Sequence, residues 1–225
     1  MPERETPPAA DSTGAPRRLA RAEAVLARRR RSLCVVLEDA HDPHNVSAVL
    51  RTCEALGVQD VHLVAEQEDD SILNPKVTIG AHRWLTGYRL YVSHLDAQAT
   101  PLPDLAGEGR AAYVFGNERS GVTSRWLDAA DATFLIPTSG FSGSLNLSVA
   151  VALVLYDRLL GRRGAVLPEG DLGESEKAAL RAAWYRQLAH GNPGREREYE
   201  TYLDSPVAPR PSFGVDRRKV PPGSG

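Results

Sequence analysis

One stretch, Ile136–Tyr156, constrains the fold of this chain more than any other. It begins as the end of an apolar strand, passes through a loop of Gly and Ser, and continues as a helix made almost entirely of Ala, Val and Leu. A helix that is apolar on all sides predicts burial in the interior of a protein. The small polar residues around Leu145 can leave backbone N–H groups free for a ligand. The stretch therefore predicts a binding site held in a rigid, buried frame.

Short apolar runs alternate with helical segments along most of the chain. This alternation predicts a parallel α/β sheet of five or six strands. The first unit comprises a strand at Leu33–Leu37, a helix from about Val46 to Leu56 closed by Gly57, and a strand at Val61–Val64. The connection between the two strands is long enough for a parallel pair with a right-handed crossover. Further strands are predicted at 88–92, 111–115 and 132–136, with a short helix at 123–130.

Composition divides the chain into a central α/β domain and two extensions. We predict a basic N-terminal arm at 1–32, the α/β domain at 33–162, a C-terminal helical extension at 163–204 and a disordered tail at 205–225. Residues 1–15 are rich in Pro, Ala and polar residues, and they are also predicted to be disordered. Amphipathic helices are predicted at 17–31 and 174–189, the second with Leu180, Ala183, Trp184 and Leu188 on one side.

Charge is distributed unevenly along the chain. Residues 1–32 contain eight arginines and four acidic residues, a net of about +4, whereas the whole chain has a formal net charge of −2. One interpretation of this N-terminal segment is a solvated surface helix. The other is an arm that binds phosphates of a nucleic acid, and the consecutive Arg28, Arg29, Arg30 and Arg31 favour it.

Several classes of protein are disfavoured by the sequence. No apolar run is long enough to span a membrane, and the charged, Pro-rich N-terminus does not resemble a signal peptide, so we predict a cytoplasmic protein without membrane contact. Cys34 and Cys53 are too few for a disulfide framework and are predicted to be small buried residues. The loops contain no G-x-G-x-x-G motif and no Walker lysine. His41 and His44 lack further ligands at a recognisable spacing, so no metal site is predicted.

Three polar segments follow predicted strands, at 45–51, 115–121 and 136–146. Since the carboxyl ends of parallel strands meet at one edge of a sheet, these segments are expected to converge on one crevice. Individual polar residues in these segments can also be explained without a binding site. Arg51 is explained by a surface ion pair, Glu118 by a plain turn, and Asn45 and Ser144 by the capping of helices.

Taken together, the three segments resemble the motifs of the SpoU/TrmH family of RNA ribose 2′-O-methyltransferases, in the SPOUT class. The first motif corresponds to His44–Gly57, the second to Phe115–Gly121, and the third to Ile136-Pro137 with Gly143–Ala150. The residues around the first motif, Pro43-His-Asn-Val-Ser47 with Arg51-Thr52, are most similar to those of the family branch that modifies guanosine 18 in the tRNA D-loop.

The resemblance implies an α/β SPOUT fold with a C-terminal trefoil knot, S-adenosylmethionine as the methyl donor, tRNA as the partner, and a homodimer. It implies catalytic roles for Asn45, Arg51, Glu118, Ser144 and Asn146. It implies cofactor binding by Ser93, Gly116, Asn117, Ile136 and Leu145. Because arginine stays protonated in proteins, Arg51 is expected to hold a phosphate of the RNA, and the phosphate or a water accepts the proton.

The sequence also departs from the family pattern. Asp42 stands where relatives of the tRNA branch often have lysine, a helix is expected to be missing between Trp84 and Ala111, and the tail at 205–225 has no counterpart. Two alternative functions are an rRNA 2′-O-methyltransferase and a non-catalytic RNA-binding protein with a knotted fold. Relatives that modify rRNA often have a separate N-terminal domain. Only about 32 residues precede the first predicted strand, which favours tRNA.

Overall fold

The structure is a computed structural model that describes residues 16–64, 85, 87–107, 109–161 and 169–209. It contains two compact units, one of residues 30–171 and one of residues 1–29 together with 172–225. The predictions for residues 1–15, 163–168 and 210–225 lie outside the described residues. Among the described residues of the two predicted extensions, 16–29 and 172–204 belong to the smaller unit, whereas 30–32 and 169–171 belong to the larger one.

The larger unit is built on a six-stranded sheet in which every pair of neighbouring strands is parallel. The strands are β1 (Leu33–Glu38), β2 (Val61–Val64), β3 (Arg89–Ser93), β4 (Thr100–Pro101), β5 (Ala111–Phe115) and β6 (Ala132–Leu135). Their spatial order is β2-β1-β5-β3-β6-β4. Every residue of the central strands β1 and β5 is buried, and all of them except Glu38 are apolar, as expected for strands covered on both faces. The predicted parallel α/β sheet is confirmed.

The helices of this unit are α2 (Pro43–Ala55), α3 (Ser124–Ala129) and α4 (Leu147–Tyr156), and α4 continues into a π-helical turn at Asp157–Gly161. Helix α2 begins earlier than predicted, because Asp42 caps it by accepting a hydrogen bond from the His44 amide at 2.9 Å. It ends before Gly57, whose φ of +80° fits the predicted closing position. Asp42, which departs from the family pattern, therefore has a structural role.

Helix α4 is only partly buried, in contrast to the prediction of burial on all sides. Leu147, Val151 and Val154 lie in the core on the same side of the sheet as α2. Val149, Leu153 and Tyr156 are 45%, 43% and 59% exposed. Because these three residues are separated by four and three positions, they share one face of the helix. This apolar face is not covered by the described part of the chain.

Between β3 and β5 the described residues, which exclude Glu108, contain no α-helix. Thr100–Pro101 forms the short edge strand β4, and a 3-10 turn follows at Leu102–Asp104. The guanidinium of Arg158 donates hydrogen bonds to the carbonyl oxygens of Leu102 and Leu105, at 2.5 and 2.8 Å. These hydrogen bonds tie α4's π-helical extension to the 3-10 turn and to the residue that follows it.

The smaller unit consists of α1 (Arg17–Leu26), α5 (Glu174–Leu188) and α6 (Pro193–Glu200). Its core contains Leu19, Tyr185 and Tyr199, and the carboxylate of the buried Glu23 accepts two hydrogen bonds from Arg181 at 2.8 Å. Helix α6 was not predicted, and α1 ends five residues before the predicted Arg31. The predicted buried face of α5 is wrong in detail, since Ala183 is exposed and Tyr185 and Ala189 are buried. Propensity alone does not show which face tertiary contacts will cover.

Cys34 and Cys53 are both buried, as predicted. Burial raises the pKa of each thiol to about 12, so both remain protonated at neutral pH. Among the described helices, none is long and apolar enough to cross a bilayer.

Candidate active site

A pocket of about 360 Å³ lies at the carboxyl ends of β3, β5 and β6. The loops that follow these three strands form most of its wall, and α4 contributes Leu147 and Ala150. This is the edge of the sheet at which parallel α/β proteins bind ligands. Two of the three polar segments singled out in the sequence, those after β5 and β6, line this pocket.

All five residues that the resemblance assigned to the cofactor lie in the wall of this pocket: Ser93, Gly116, Asn117, Ile136 and Leu145. Glu118 and Ser144, assigned to catalysis, lie there as well. Sequence reasoning missed other residues of the wall, namely His94, Leu95, Arg119 and Thr138. They directly follow β3, β5 or β6 or the motif residues after them, so their position next to a strand end was the available signal.

The turn after β5 brings two stretches of backbone unusually close together. Asn117 and Gly121 exchange backbone hydrogen bonds, with N···O distances of 3.1 and 2.8 Å. A Cβ atom added to Gly116 would lie 2.1 Å from the carbonyl carbon and oxygen of Gly121. Gly121 itself has a φ of +69°, in the left-handed region. Glycine is therefore required at position 116 to form this part of the pocket wall.

A chain of hydrogen bonds connects residues from all three motifs. The side-chain amide of Asn45 donates to Oε1 of Glu118, and Nδ2 of Asn146 donates to Oδ1 of Asn45 at 2.9 Å. Oδ1 of Asn146 accepts from the backbone N–H and the hydroxyl of Ser148, at 2.9 and 2.7 Å. The amide of Asn45 is thus held in one orientation by a carboxylate on one side and an amide on the other.

The structure rules out the interpretation of Asn45 and Ser144 as residues that cap helices. Asn45 lies within the first turn of α2, which is capped by Asp42, so it does not cap that helix. Ser144 does not cap α4, because Asn146 is the residue that does so. The side chains of Asn45 and Asn146 do not line the pocket but lie beside it, through their connection to Glu118.

Arg51 is an exposed residue of α2 and does not line the pocket of its own chain. Within the part of the chain that the structure describes, its side chain forms no hydrogen bond and no ion pair. The interpretation of Arg51 as a member of a surface ion pair is therefore not supported. Its guanidinium remains available to a ligand.

The four consecutive arginines do not form one exposed arm. Arg28 is exposed, whereas Arg29 and Arg30 are only 8% and 6% exposed. The guanidinium of Arg29 lies 5.4 Å from the ring centroid of Trp184, and Nε of Arg31 lies 2.9 Å from Asp60. The prediction of a phosphate-binding surface is thus wrong for Arg29 and Arg30, because tertiary packing buries their side chains. No group of three or more His, Cys, Asp or Glu residues that could hold a metal is found among the described residues.

The sheet order, the pocket at the carboxyl ends of the strands and the linked motif residues define an α/β protein whose site is formed by three loops. The chain belongs to the SpoU rRNA methylase family, whose sequence profile matches residues 32–156. The predicted family is confirmed.

Two relatives were compared individually with this chain. The chain is 37% identical to the tRNA (guanosine(18)-2′-O)-methyltransferase of Borreliella burgdorferi over 75% of its length and 84% of the relative. It is 36% identical to the enzyme of the same name from Escherichia coli K12, and the alignment covers 67% of this chain and 72% of that enzyme.

Solved structures with a similar fold include the TrmH/SpoU tRNA modifying enzyme of A. aeolicus, with a TM-score of 0.60, 24% identity, and coverage of 75% of this chain and 94% of that one. The SpoU methyltransferase AviRb from Streptomyces viridochromogenes, in complex with the cofactor AdoMet, has a TM-score of 0.51 and 21% identity, with coverage of 61% and 60%. At these identities the likeness concerns the fold alone.

Proposed function

We propose that this protein transfers a methyl group from S-adenosylmethionine to the ribose 2′-hydroxyl of guanosine 18 in the D-loop of tRNA. The observation that carries the proposal is the hydrogen-bonded set of Asn45, Glu118 and Asn146, which joins the three motifs beside one pocket. The enzymes of Borreliella burgdorferi and Escherichia coli K12, which are named for this reaction, are 37% and 36% identical to this chain over 75% and 67% of its length.

The pocket suits S-adenosylmethionine in size and in chemistry. Its volume of about 360 Å³ lies within the range of small-molecule sites. Phe115, Ile136 and Leu147 line it and would supply apolar surface for a flat ring, whose edge would hydrogen-bond to backbone groups of the surrounding loops. Ser93, Gly116, Asn117, Ile136 and Leu145 would hold the cofactor, which supplies an electrophilic methyl group bound to a sulfonium.

The remaining chemistry concerns the position and the proton of the attacking hydroxyl. As the O–C bond forms and the S–C bond breaks, the hydroxyl proton must leave for a phosphate oxygen or a water. Arg51 stays protonated, so it binds the phosphate on the 3′ side of the ribose and aligns the hydroxyl. Glu118 and Ser144 of the pocket wall, with Asn45 and Asn146 beside it, would form the polar surface that contacts the ribose. Arg51 is therefore expected to affect turnover more than cofactor binding.

Methylation of tRNA transcripts with and without guanosine 18 tests the proposal. We expect mass-spectrometric mapping to find one 2′-O-methyl group, at position 18, and to find none when that guanosine is replaced. Undiminished methyl transfer to the substituted transcript would refute the assignment of guanosine 18. Transfer to rRNA alone would favour an rRNA methyltransferase, and no binding of S-adenosylmethionine at millimolar concentration would favour a non-catalytic RNA-binding protein.

The basic N-terminal region would contact tRNA phosphates through its exposed side chains. Arg28 is the exposed member of the consecutive arginines, whereas Arg29 is buried beside Trp184. We expect Arg28→Ala to weaken tRNA binding and to reduce the slope of log Kd against log salt by about one. Arg29→Ala serves as the control, and it should lower stability without changing the slope. An unchanged slope in Arg28→Ala would place this residue outside the interface.

We also propose that the protein forms a homodimer. The exposed apolar face of α4, formed by Val149, Leu153 and Tyr156, is suited to pack against the same face of a second copy. We expect Leu153→Asp to convert a dimer into a monomer in sedimentation experiments, whereas the matched change at an exposed polar site, Ser124→Asp, should not. An equal molecular mass for both variants would exclude this interface.

The trefoil knot rests on membership of the family, and the segment between β6 and α4 would form it. An experimental chain trace that stays unknotted when its ends are pulled apart would disprove the knot. The cytoplasmic location remains a prediction from the sequence.

A further inference from the structure

Glu38, the last residue of β1, has a buried carboxylate whose two oxygens are both used. Oε2 accepts a hydrogen bond from the backbone N–H of Thr123 at 2.7 Å, and Oε1 accepts one from the hydroxyl of the same residue at 2.7 Å. The residue is only 7% exposed. Hydrogen bonds to a carboxylate are stronger than those between neutral groups, and losing them would leave a buried charge without compensation.

Thr123 is the residue at which the loop after β5 ends and α3 begins. The start of the same loop is held from the same place, because Nδ2 of Asn117 donates a hydrogen bond to the carbonyl oxygen of Asp39 at 2.8 Å. Asp39 has a φ of +49°, an uncommon backbone conformation for a residue other than glycine. Two consecutive residues at the end of β1 therefore hold both ends of this loop.

The loop between these two attachments carries much of the pocket. Asn117, Glu118 and Gly121 line it, and Glu118 also accepts the hydrogen bond from Asn45. Glu38 itself is not part of the pocket wall. β1 and β5 are neighbours, with Leu37 paired to Phe115, so the Glu38 carboxylate reaches the loop across a single strand spacing.

We propose that Glu38 is a positioning residue that holds the loop at 116–123 in the conformation that binds the cofactor. The proposal rests on the proposed function, because it concerns the same pocket. It adds a residue that lies outside the three motifs and acts through Thr123.

Two substitutions at Glu38 distinguish the effect of its hydrogen bonds from the effect of its negative charge. In Glu38→Gln the amide oxygen can accept from the Thr123 N–H while the amide nitrogen donates to the Thr123 hydroxyl, so both contacts survive. We expect this variant to keep its Kd and KM for S-adenosylmethionine within about threefold of the wild type. In Glu38→Ala both contacts are lost, and we expect Kd and KM to rise about tenfold or more, with a smaller change in kcat.

Thr123→Val tests the other partner, since it removes the hydroxyl and keeps the backbone contact to Oε2. We expect an intermediate rise in KM, and the double variant Glu38→Ala/Thr123→Val should be no worse than Glu38→Ala. Ser124→Ala is the matched control, because it removes a hydroxyl one residue further on. All variants are compared by calorimetry with S-adenosylmethionine and by hydrogen exchange of the amides at 117–123, well below their melting temperatures.

The outcomes distinguish this proposal from the proposed function. If the wild type fails to bind S-adenosylmethionine, the proposed function is wrong. If the wild type binds and Glu38→Ala binds equally well with unchanged exchange at 117–123, the positioning role is wrong. A Glu38→Gln variant as defective as Glu38→Ala would also overturn the role of these hydrogen bonds. Should Glu38→Ala fail to fold, Thr123→Val with a wild-type KM overturns the proposal and a raised KM supports it.

Discussion

Gly116→Ala is expected to weaken binding of S-adenosylmethionine by at least roughly 100-fold, or about 2.7 kcal/mol. The added methyl group would lie 2.1 Å from the backbone of Gly121, and backbone atoms cannot move aside as the end of a flexible side chain can. The turn that pairs Asn117 with Gly121 would have to open, and the pocket wall would be displaced. Calorimetric titration with the cofactor measures the effect directly.

Gly140→Ala is the matched control for this substitution. Gly140 lies after β6 and outside the pocket wall, and the nearest atom to a Cβ at that position is the Ser142 amide nitrogen at 4.0 Å. We expect its Kd to stay within about threefold of the wild type. Thermal unfolding of both variants shows whether Gly116→Ala acts on the pocket or on the whole domain. Equal Kd values for the two variants would contradict the requirement for glycine at 116.

Arg51→Ala is expected to reduce kcat by about 100- to 1,000-fold, a loss of roughly 3 to 4 kcal/mol of transition-state stabilisation. The Kd for S-adenosylmethionine should remain unchanged, because Arg51 lies outside the pocket wall of its own chain. The expected loss reflects a phosphate that is no longer held and a hydroxyl that is no longer aligned. Single-turnover methylation of tRNA, with cofactor binding measured separately, resolves the two quantities.

Two further variants make this test specific to Arg51. Arg125→Ala removes an equally exposed arginine from α3, and it should leave kcat within about twofold. Arg51→Lys keeps the charge but loses the planar, bidentate donor geometry, so a partial recovery of kcat is expected. Wild-type turnover in Arg51→Ala would remove the residue from the mechanism. A parallel loss of cofactor binding would assign it a structural role instead.

These two substitutions separate holding the cofactor from aligning the RNA. Gly116 shapes the pocket through its backbone, whereas Arg51 is an exposed side chain on α2. The link between the two regions is the hydrogen bond from Asn45 of α2 to Glu118 of the pocket wall. If Gly116→Ala impairs only cofactor binding and Arg51→Ala impairs only turnover, the result supports separate roles for the two residues.

The positions of most strands could be predicted from the sequence, because a strand buried on both faces must be continuously apolar. The fully buried Ala111–Phe115 has the predicted boundaries, and so does the edge strand Val61–Val64, although it is only partly buried. Helix ends were less accurate, since caps depend on individual side chains. Asp42 and Asn146 are the capping residues, whereas Asn45 and Ser144 had been the candidates.

The amino-acid sequence was sufficient to predict the fold class, the family and two of the pocket loops, those after β5 and β6. Apolar periodicity and motif spacing are local properties, and they survive without knowledge of long-range contacts. Three features depend on long-range packing: which arginines are buried, which face of α4 is uncovered, and the hydrogen bonds that Glu38 accepts from Thr123. The last of these joins residues 85 positions apart in the chain. Such a contact depends on which strands are neighbours in the sheet, and β5 lies beside β1 although three strands separate them in sequence.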